Sequence, residues 1–143
     1  MVDYPIEFRS ESKTDKGDSK WSLKTSEGLE TEMSVPKEFG GDEEKPSPED
    51  LFSASIQSCM IATFKTIGKR KNLSYDSIES EARIILDRGD DSRPVMKEGE
   101  IDVIVKGVRD EEKASKVASA AEKNCFIHNS VKTDVRTSFE FER

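Results

Sequence analysis

The sequence predicts a single α+β domain spanning residues 1–143. Apolar residues alternate with polar ones at the N-terminus, over residues 78–106 and at the C-terminus, which is the pattern of half-buried strands. Two intervening segments carry apolar residues at three- and four-residue spacing, the pattern of amphipathic helices. The resulting order of strands, helix, hairpin, helix and strand belongs to the α+β class. A length of 143 residues suits one domain.

The N-terminal region is predicted to form an antiparallel meander of three short strands, separated by the turns TDKGDS and SEG. One face of such a meander is buried, so its apolar residues recur at every second position. The alternating residues are Ile6 and Phe8, then Trp21, Leu23 and Thr25, then Leu29, Thr31, Met33 and Val35. The following segment, PKEFGGDEEKPSP, is predicted to be a loop because of its prolines, paired glycines and acidic residues.

The first helix is predicted to begin at Ser47, which can cap it, with Pro48 at the first helical position and Asp50 three residues after the cap. It is predicted to end near Asn72, because asparagine tolerates the left-handed conformation found at helix C-termini. Its predicted buried stripe is Phe52, Ile56, Cys59, Met60, Thr63 and Ile67. A helix this long is expected to form the spine of so small a domain.

The second half of the chain is predicted to contain a hairpin, a second helix and a final strand. The hairpin residues that share a face are Ile78, Ser80, Ala82, Ile84 and Leu86, then Ile101, Val103 and Val105. Asp110 is the predicted cap of the second helix, whose acidic first turn complements the helix dipole. Its predicted buried stripe is Ala114, Val117, Ala118, Ala121 and Cys125. The final strand alternates through Val131, Thr133, Val135, Thr137, Phe139 and Phe141.

The composition restricts the classes of function. The net charge is −7, with 23 basic residues interspersed among 30 acidic ones, which argues against nucleic acid and anionic membranes as partners. No apolar run reaches the length of a membrane span and the N-terminus lacks a signal-peptide pattern, so a soluble cytoplasmic protein is expected. Only 33% of the residues are hydrophobic. Part of the core is therefore expected to be shared across a subunit interface.

The two cysteines, Cys59 and Cys125, are the main candidates for chemistry. In the cytoplasm they are expected to be free thiols rather than a structural disulfide. Each falls on the apolar stripe of a predicted helix, so two inert core residues are one interpretation and two halves of a redox site are another. His128, the only histidine, would complete a three-ligand zinc set, although the ligand spacing differs from that of structural zinc sites. The sequence pattern leaves these alternatives open.

Three segments carry a resemblance to known proteins: GLETEMSVPKEFGG, SPEDLFSASIQSCMIATF and CFIHNSV. Together they resemble the OsmC/Ohr family of osmotically inducible and organic hydroperoxide resistance proteins, over residues 6–141. The most specific part is the start of the first helix, where a Pro-Glu-x-Leu motif is followed, ten residues after the glutamate, by Cys59. Phe126 stands where the family commonly has a proline after its second cysteine.

The resemblance implies both a chemistry and an assembly. Cys59 matches the reactive cysteine that attacks a peroxide and becomes a sulfenic acid, Cys125 matches the resolving cysteine that forms a disulfide with it, and Glu49 matches the carboxylate that orders the thiolate. The family fold is an intertwined homodimer with antiparallel sheets wrapped around two central helices. The implied substrate is an organic hydroperoxide, and the implied reductant is a dithiol such as a lipoyl group. The resemblance implies neither a cofactor nor a metal.

One activating residue of the family is missing. The family arginine comes from the N-terminal strands, whereas this chain has no arginine between Arg9 and Arg70. Burial raises the pKa of a thiol, so a cation is expected to be the main activator of Cys59, and Lys20 is the candidate. Because lysine lacks the planar fork of arginine, the thiol pKa is expected near its ordinary value of about 8.5. A thiol-dependent peroxidase is the leading hypothesis. The alternative is a non-enzymatic ligand-binding or stress-related protein of the same fold.

Overall fold

The computed structural model describes residues 2–42 and 44–143. Its strands are β1 (Ser10–Lys13), β2 (Lys20–Thr25), β3 (Glu30–Ser34), β4 (Ser77–Arg88), β5 (Pro94–Lys106) and β6 (Asp134–Glu142). Its helices are α1 (Pro48–Arg70) and α2 (Glu111–Asn124), with short 3₁₀ helices at Lys37–Phe39 and His128–Ser130. The chain divides into two compact units, with the boundary after Phe52. These elements confirm the predicted α+β class.

The N-terminal unit contains an antiparallel sheet in the order β1-β2-β3, as the meander prediction required. The first strand differs from its prediction, because β1 begins at Ser10 and both Ile6 and Phe8 lie before it. Their side chains are exposed, Phe8 by 82%. Two alternating apolar residues are too few to specify a strand, and the cross-strand hydrogen bonds between β1 and β2 decide its position instead.

The start of α1 is a capping box, as predicted. The Asp50 backbone N–H donates to Ser47 Oγ at 3.2 Å, and the Ser47 backbone N–H donates to Asp50 Oδ2 at 2.8 Å. These reciprocal bonds satisfy two backbone donors that a helix start otherwise leaves unpaired. At the other end Asn72 has a φ of 54° and the Leu73 N–H donates to the Gly68 carbonyl at 2.8 Å. The left-handed asparagine therefore closes the helix, as predicted.

The C-terminal unit contains a sheet in the order β4-β5-β6. The β4–β5 pairing is antiparallel, but the β5–β6 pairing is parallel, which corrects the expectation of purely antiparallel sheets. The reason is the connection: α2 lies between β5 and β6 in the chain, and a helical crossover joins parallel strands. A register shift between Ile85 and Leu86 also removes Leu86 from the predicted face, because a bulge reverses the alternation. The Leu86 side chain is 40% exposed.

The core of the C-terminal unit lies between this sheet and the two helices. The Phe64 ring of α1 stacks on Phe139 of β6 with centroids 5.4 Å apart. At Gly68 an added Cβ would lie 3.8 Å from Val117 of α2, so the two helices pack closely there. The buried residues of α1 are Ile56, Met60, Phe64 and Gly68. The predicted stripe was therefore wrong at Thr63 and Ile67, because the buried positions in the second half of α1 are Phe64 and Gly68.

The predicted stripe of α2 is confirmed. Its residues Ala114, Val117, Ala118, Ala121 and Cys125 are all buried, and the predicted cap Asp110 accepts a hydrogen bond from the Lys113 backbone N–H at 3.0 Å. On α1, by contrast, Cys59 and Thr63 are half-buried and lie at the edge of the apolar stripe. In the described part of the chain, no helix combines the length and apolar character needed to cross a membrane.

Candidate functional site

Cys59 and Cys125 come together within the C-terminal unit. Cys59 lies in the middle of α1, and Cys125 is the C-cap residue of α2. Their sulfurs are close enough for the Cys125 thiol to donate a hydrogen bond to Cys59. Both are free cysteines, with Cys125 fully buried and Cys59 half-buried. The packing of α1 against α2 therefore produces a sulfur pair that the 66-residue separation in the sequence could not reveal.

The sulfur of Cys59 is surrounded by hydrogen-bond donors. Burial pushes the pKa of the Cys59 thiol upward, but the donors outweigh it and the pKa lies below its ordinary value. The donors, from strongest to weakest, are the Ile127 backbone N–H, the Cys125 thiol, the Thr63 hydroxyl when its proton is turned to the sulfur, and the Phe126 backbone N–H. Each of these hydrogen bonds stabilises the thiolate. All four donors are neutral groups, whereas the sequence predicted a cation.

The sulfur of Cys125 behaves in the opposite way. The pKa of the Cys125 thiol is raised to about 11, first by burial and then by the hydrogen bond to Cys59 and the charge on Cys59. The backbone N–H groups of His128 and Ile127 oppose it only in part. Cys125 therefore stays a thiol under conditions in which Cys59 ionises.

The backbone donors come from the turn that follows Cys125. The Asn129 N–H donates to the Cys125 carbonyl at 2.9 Å, and the Asn129 side chain donates to the Lys123 carbonyl at 2.9 Å. A turn closed in this way leaves the N–H groups inside it without acceptors in the turn. These are the groups that face the two sulfurs. Sequence reasoning missed them because every residue except proline carries an N–H; the only sequence signal was Asn129, a residue type that favours turns.

Glu49 and Lys20 both belong to the N-terminal unit. Glu49 lies in the first turn of α1, and its Oε2 is buried without a hydrogen-bond partner among the described residues. Lys20, on β2, has its Nζ 3.3 Å from Asp42 Oδ2 and 3.9 Å from Glu32 Oε1. The Glu44 N–H and then the Lys20 ammonium group hold the pKa of Asp42 below its usual range. The roles of Glu49 and Lys20 in activating a thiolate stay predictions.

His128 lies on the same turn as the backbone donors. Its Nδ1 is buried and makes no hydrogen bond within the part of the chain that the structure describes. Among those same residues, no three histidine, cysteine or acidic side chains are placed so that they could hold a metal ion.

A comparison of the sequence with protein families gives a match over residues 40–140, to the model of the OsmC-like proteins. The chain belongs to the OsmC-like family. This confirms the resemblance on which the site prediction was based. No curated protein matches the sequence.

Several solved structures share the fold of this OsmC-like chain. An OsmC-like protein of unknown function from Vibrio cholerae aligns with a TM-score of 0.85 at 19% identity, covering 95% of this chain and 100% of its own. An organic hydroperoxide resistance protein from Legionella pneumophila aligns with a TM-score of 0.78 at 18% identity, covering 96% of this chain and 99% of its own. The organic hydroperoxide resistance protein OhrB of Bacillus subtilis aligns with a TM-score of 0.68 at 20% identity, covering 94% of this chain and 98% of its own.

Proposed function

We propose that this protein is a thiol-dependent peroxidase that reduces organic hydroperoxides, with Cys59 as the attacking and Cys125 as the resolving cysteine. The observation that carries the proposal is the contact between two sulfurs whose pKa values are displaced in opposite directions. The thiolate is the nucleophilic form of cysteine, so the sulfur with the lowered pKa attacks. We assign to its neighbour Cys125, held as a thiol, the role of resolving the product.

The proposed reaction has three steps. The Cys59 thiolate attacks the terminal oxygen of the hydroperoxide, the O–O bond breaks, and the alkoxide leaves and takes a proton from solvent to become an alcohol. Cys59 is then a sulfenic acid, which condenses with the Cys125 thiol to give a disulfide and one water molecule. An external dithiol reduces this disulfide by exchange and becomes oxidised itself.

The surroundings of the sulfurs favour an organic substrate. The side chains of Phe126 and Ile127, which follow Cys125, are 74% and 37% exposed. They belong to the same two residues whose backbone N–H groups bind the Cys59 sulfur. An alkyl or aryl hydroperoxide would bury some of this surface, whereas hydrogen peroxide would not. The names of the two hydroperoxide resistance proteins that share the fold agree with this substrate class.

The proposal includes a homodimer and a carboxylate at the site. The exposed apolar side chains Val2, Tyr4, Ile6 and Phe8 of the N-terminal unit support a second subunit that covers them. The buried, unpaired oxygen of Glu49 supports its role as a group that orders the thiolate, because buried carboxylates need partners. Lys20 remains the candidate cation. A dithiol reductant, of which a lipoyl group is one example, and a cytoplasmic location complete the proposal.

The proposal is tested by treating the reduced protein with one equivalent of cumene hydroperoxide. Intact mass spectrometry is expected to show the loss of two hydrogens, and peptide mapping is expected to place the link between Cys59 and Cys125. A dithiol should then support continued peroxide consumption. Thiols that survive the peroxide unchanged would contradict the proposal and favour the ligand-binding alternative. A monomer mass for the folded protein by light scattering would contradict the dimer.

A further inference from the structure

Thr63 lies one helical turn after Cys59 on α1 and meets it at two points. Its hydroxyl donates a hydrogen bond to the Cys59 backbone carbonyl at 2.8 Å. The same oxygen lies 3.9 Å from the Cys59 sulfur, within reach of a sulfur hydrogen bond in either direction. Both residues are half-buried, so solvent does not fully replace either interaction.

The arrangement suits a thiol better than a thiolate. A hydroxyl has one proton to donate and two lone pairs that accept. While its proton is on the Cys59 carbonyl, the Thr63 oxygen can offer the sulfur only a lone pair. A thiol can donate to that lone pair, but a thiolate cannot. After ionisation, the lone pair would therefore oppose the negative sulfur unless the hydroxyl turned.

Turning the hydroxyl does not leave the Cys59 carbonyl unpaired. Within α1 the Cys59 carbonyl also accepts the backbone N–H of the residue four positions later, which is Thr63 itself. The carbonyl therefore keeps a hydrogen bond when the hydroxyl leaves it. Only the proton rotates about the Cβ–Oγ1 bond of Thr63, and no heavy atom has to move.

We propose that Thr63 is a positioning residue for Cys59: its hydroxyl bonds the backbone carbonyl while Cys59 is a thiol and turns to the sulfur when Cys59 becomes a thiolate. The inference rests on the proposed function, in which that thiolate attacks the peroxide. A donor available to the ionised form alone favours ionisation. The hydrogen bond from Thr63 also fixes the direction of the lone pairs on the sulfur. Without a donor, that direction would not be fixed.

Hydroxyl bonds to the carbonyl four residues earlier are common in helices, and α1 supplies a matched control. The Thr66 hydroxyl donates to the Ala62 carbonyl at 2.8 Å, in the same geometry as Thr63. Thr66 is exposed and lies about 10 Å further along the helix axis than Cys59, at 1.5 Å per residue. Any effect of removing a helical back-bond as such should appear equally at Thr66.

The experiment compares the parent protein with Thr63→Val, Thr63→Ser and Thr66→Val. Alkylation of Cys59 by iodoacetamide is measured against pH, with each cysteine quantified separately by peptide mass spectrometry. Thr63→Val should raise the pKa of Cys59 by about half a unit, which is about threefold in alkylation rate below the pKa. Thr63→Ser, which keeps the hydroxyl, and Thr66→Val should both follow the parent curve. Superimposable curves for Thr63→Val and the parent would overturn the inference, as would an equal shift in Thr63→Ser.

Alkylation needs no peroxide, so the two proposals fail separately. A protein that consumes no hydroperoxide but shows the Thr63→Val shift would refute the peroxidase and keep the role of Thr63. A protein that consumes hydroperoxide but shows no Thr63→Val shift would support the peroxidase and refute the role of Thr63. Cys125 titrates beside Cys59, and His128 lies on the adjoining turn. Both residues are unchanged in every variant, so a difference between the alkylation curves of Thr63→Val and the parent is caused by the loss of the Thr63 hydroxyl.

Discussion

The surroundings of Cys59 and Cys125 differ although the two side chains lie within hydrogen-bond reach of each other. Both sulfurs face the Ile127 N–H, yet the pKa of Cys59 is lowered and that of Cys125 is raised to about 11. Burial is the largest influence on each. Cys125 is completely buried at the end of α2, whereas Cys59 lies at the half-buried edge of the α1 stripe. Burial raises the pKa of both thiols, so the four hydrogen-bond donors on Cys59 are what separate the two and favour Cys59 as the nucleophile.

The same comparison bears on the second step of the proposed reaction, in which Cys125 reacts with oxidised Cys59. The hydrogen bond to Cys59 and the charge on Cys59 both raise the pKa of Cys125. Oxidation of Cys59 to a sulfenic acid removes that charge. One of the causes that raise the pKa of Cys125 is then gone, while burial, the largest cause, remains.

The largest expected effect is that of replacing the attacking sulfur. Cys59→Ser should abolish the consumption of cumene hydroperoxide, because a serine hydroxyl stays protonated at neutral pH and Cys125 is held as a buried thiol. The measurement is dithiol-coupled peroxide consumption. Parental activity in this variant would show that Cys59 is a core residue and that the difference between the two thiols has no catalytic meaning.

Replacing the resolving sulfur should have a smaller and two-part effect. Cys125→Ser should allow about one turnover and leave a sulfenic acid on Cys59 that dimedone traps. Because the serine hydroxyl can still donate to the Cys59 thiolate, the pKa of Cys59 should stay close to its parental value. Cys125→Ala removes that donor and should raise the pKa. Equal alkylation curves for the serine and alanine variants would show that the Cys125 thiol does not stabilise the thiolate.

The backbone donors are tested by Phe126→Pro, since proline has no N–H. Cys125 already has the extended conformation that proline requires of the residue before it. We expect the pKa of Cys59 to rise by about half a unit, with slower alkylation below the pKa. Phe126→Ala is the control, because it removes the ring and keeps the N–H. A shift as large in the alanine variant would mean that the ring, and not the amide, tunes the sulfur.

The sequence could predict the elements that side chains specify. The capping box of Ser47 and Asp50 and the stripe of α2 confirm this, because capping and burial depend on residue type. The donors on Cys59 could not be predicted in the same way. Phe126 and Ile127 act through their backbone, and Thr63 acts from the edge of a stripe that its spacing assigned to the core. Side-chain pattern carries no information about where a backbone N–H points.

The smallest expected effect is at Lys20. The sequence made this lysine the activator of Cys59, but its ammonium group has Asp42 and Glu32 as partners, and neutral donors already lower the pKa of Cys59. We therefore expect Lys20→Met to shift the pKa of Cys59 less than Phe126→Pro does, and Lys20→Arg to lower it slightly. Lys45→Met is the matched control, since Lys45 Nζ lies 3.4 Å from the same Glu32 carboxylate. A shift in Lys20→Met larger than that in Phe126→Pro would restore the cation as the main activator. If Lys20→Met and Lys45→Met shift the pKa of Cys59 equally, Lys20 acts only as a partner in the ion pairs of the N-terminal unit.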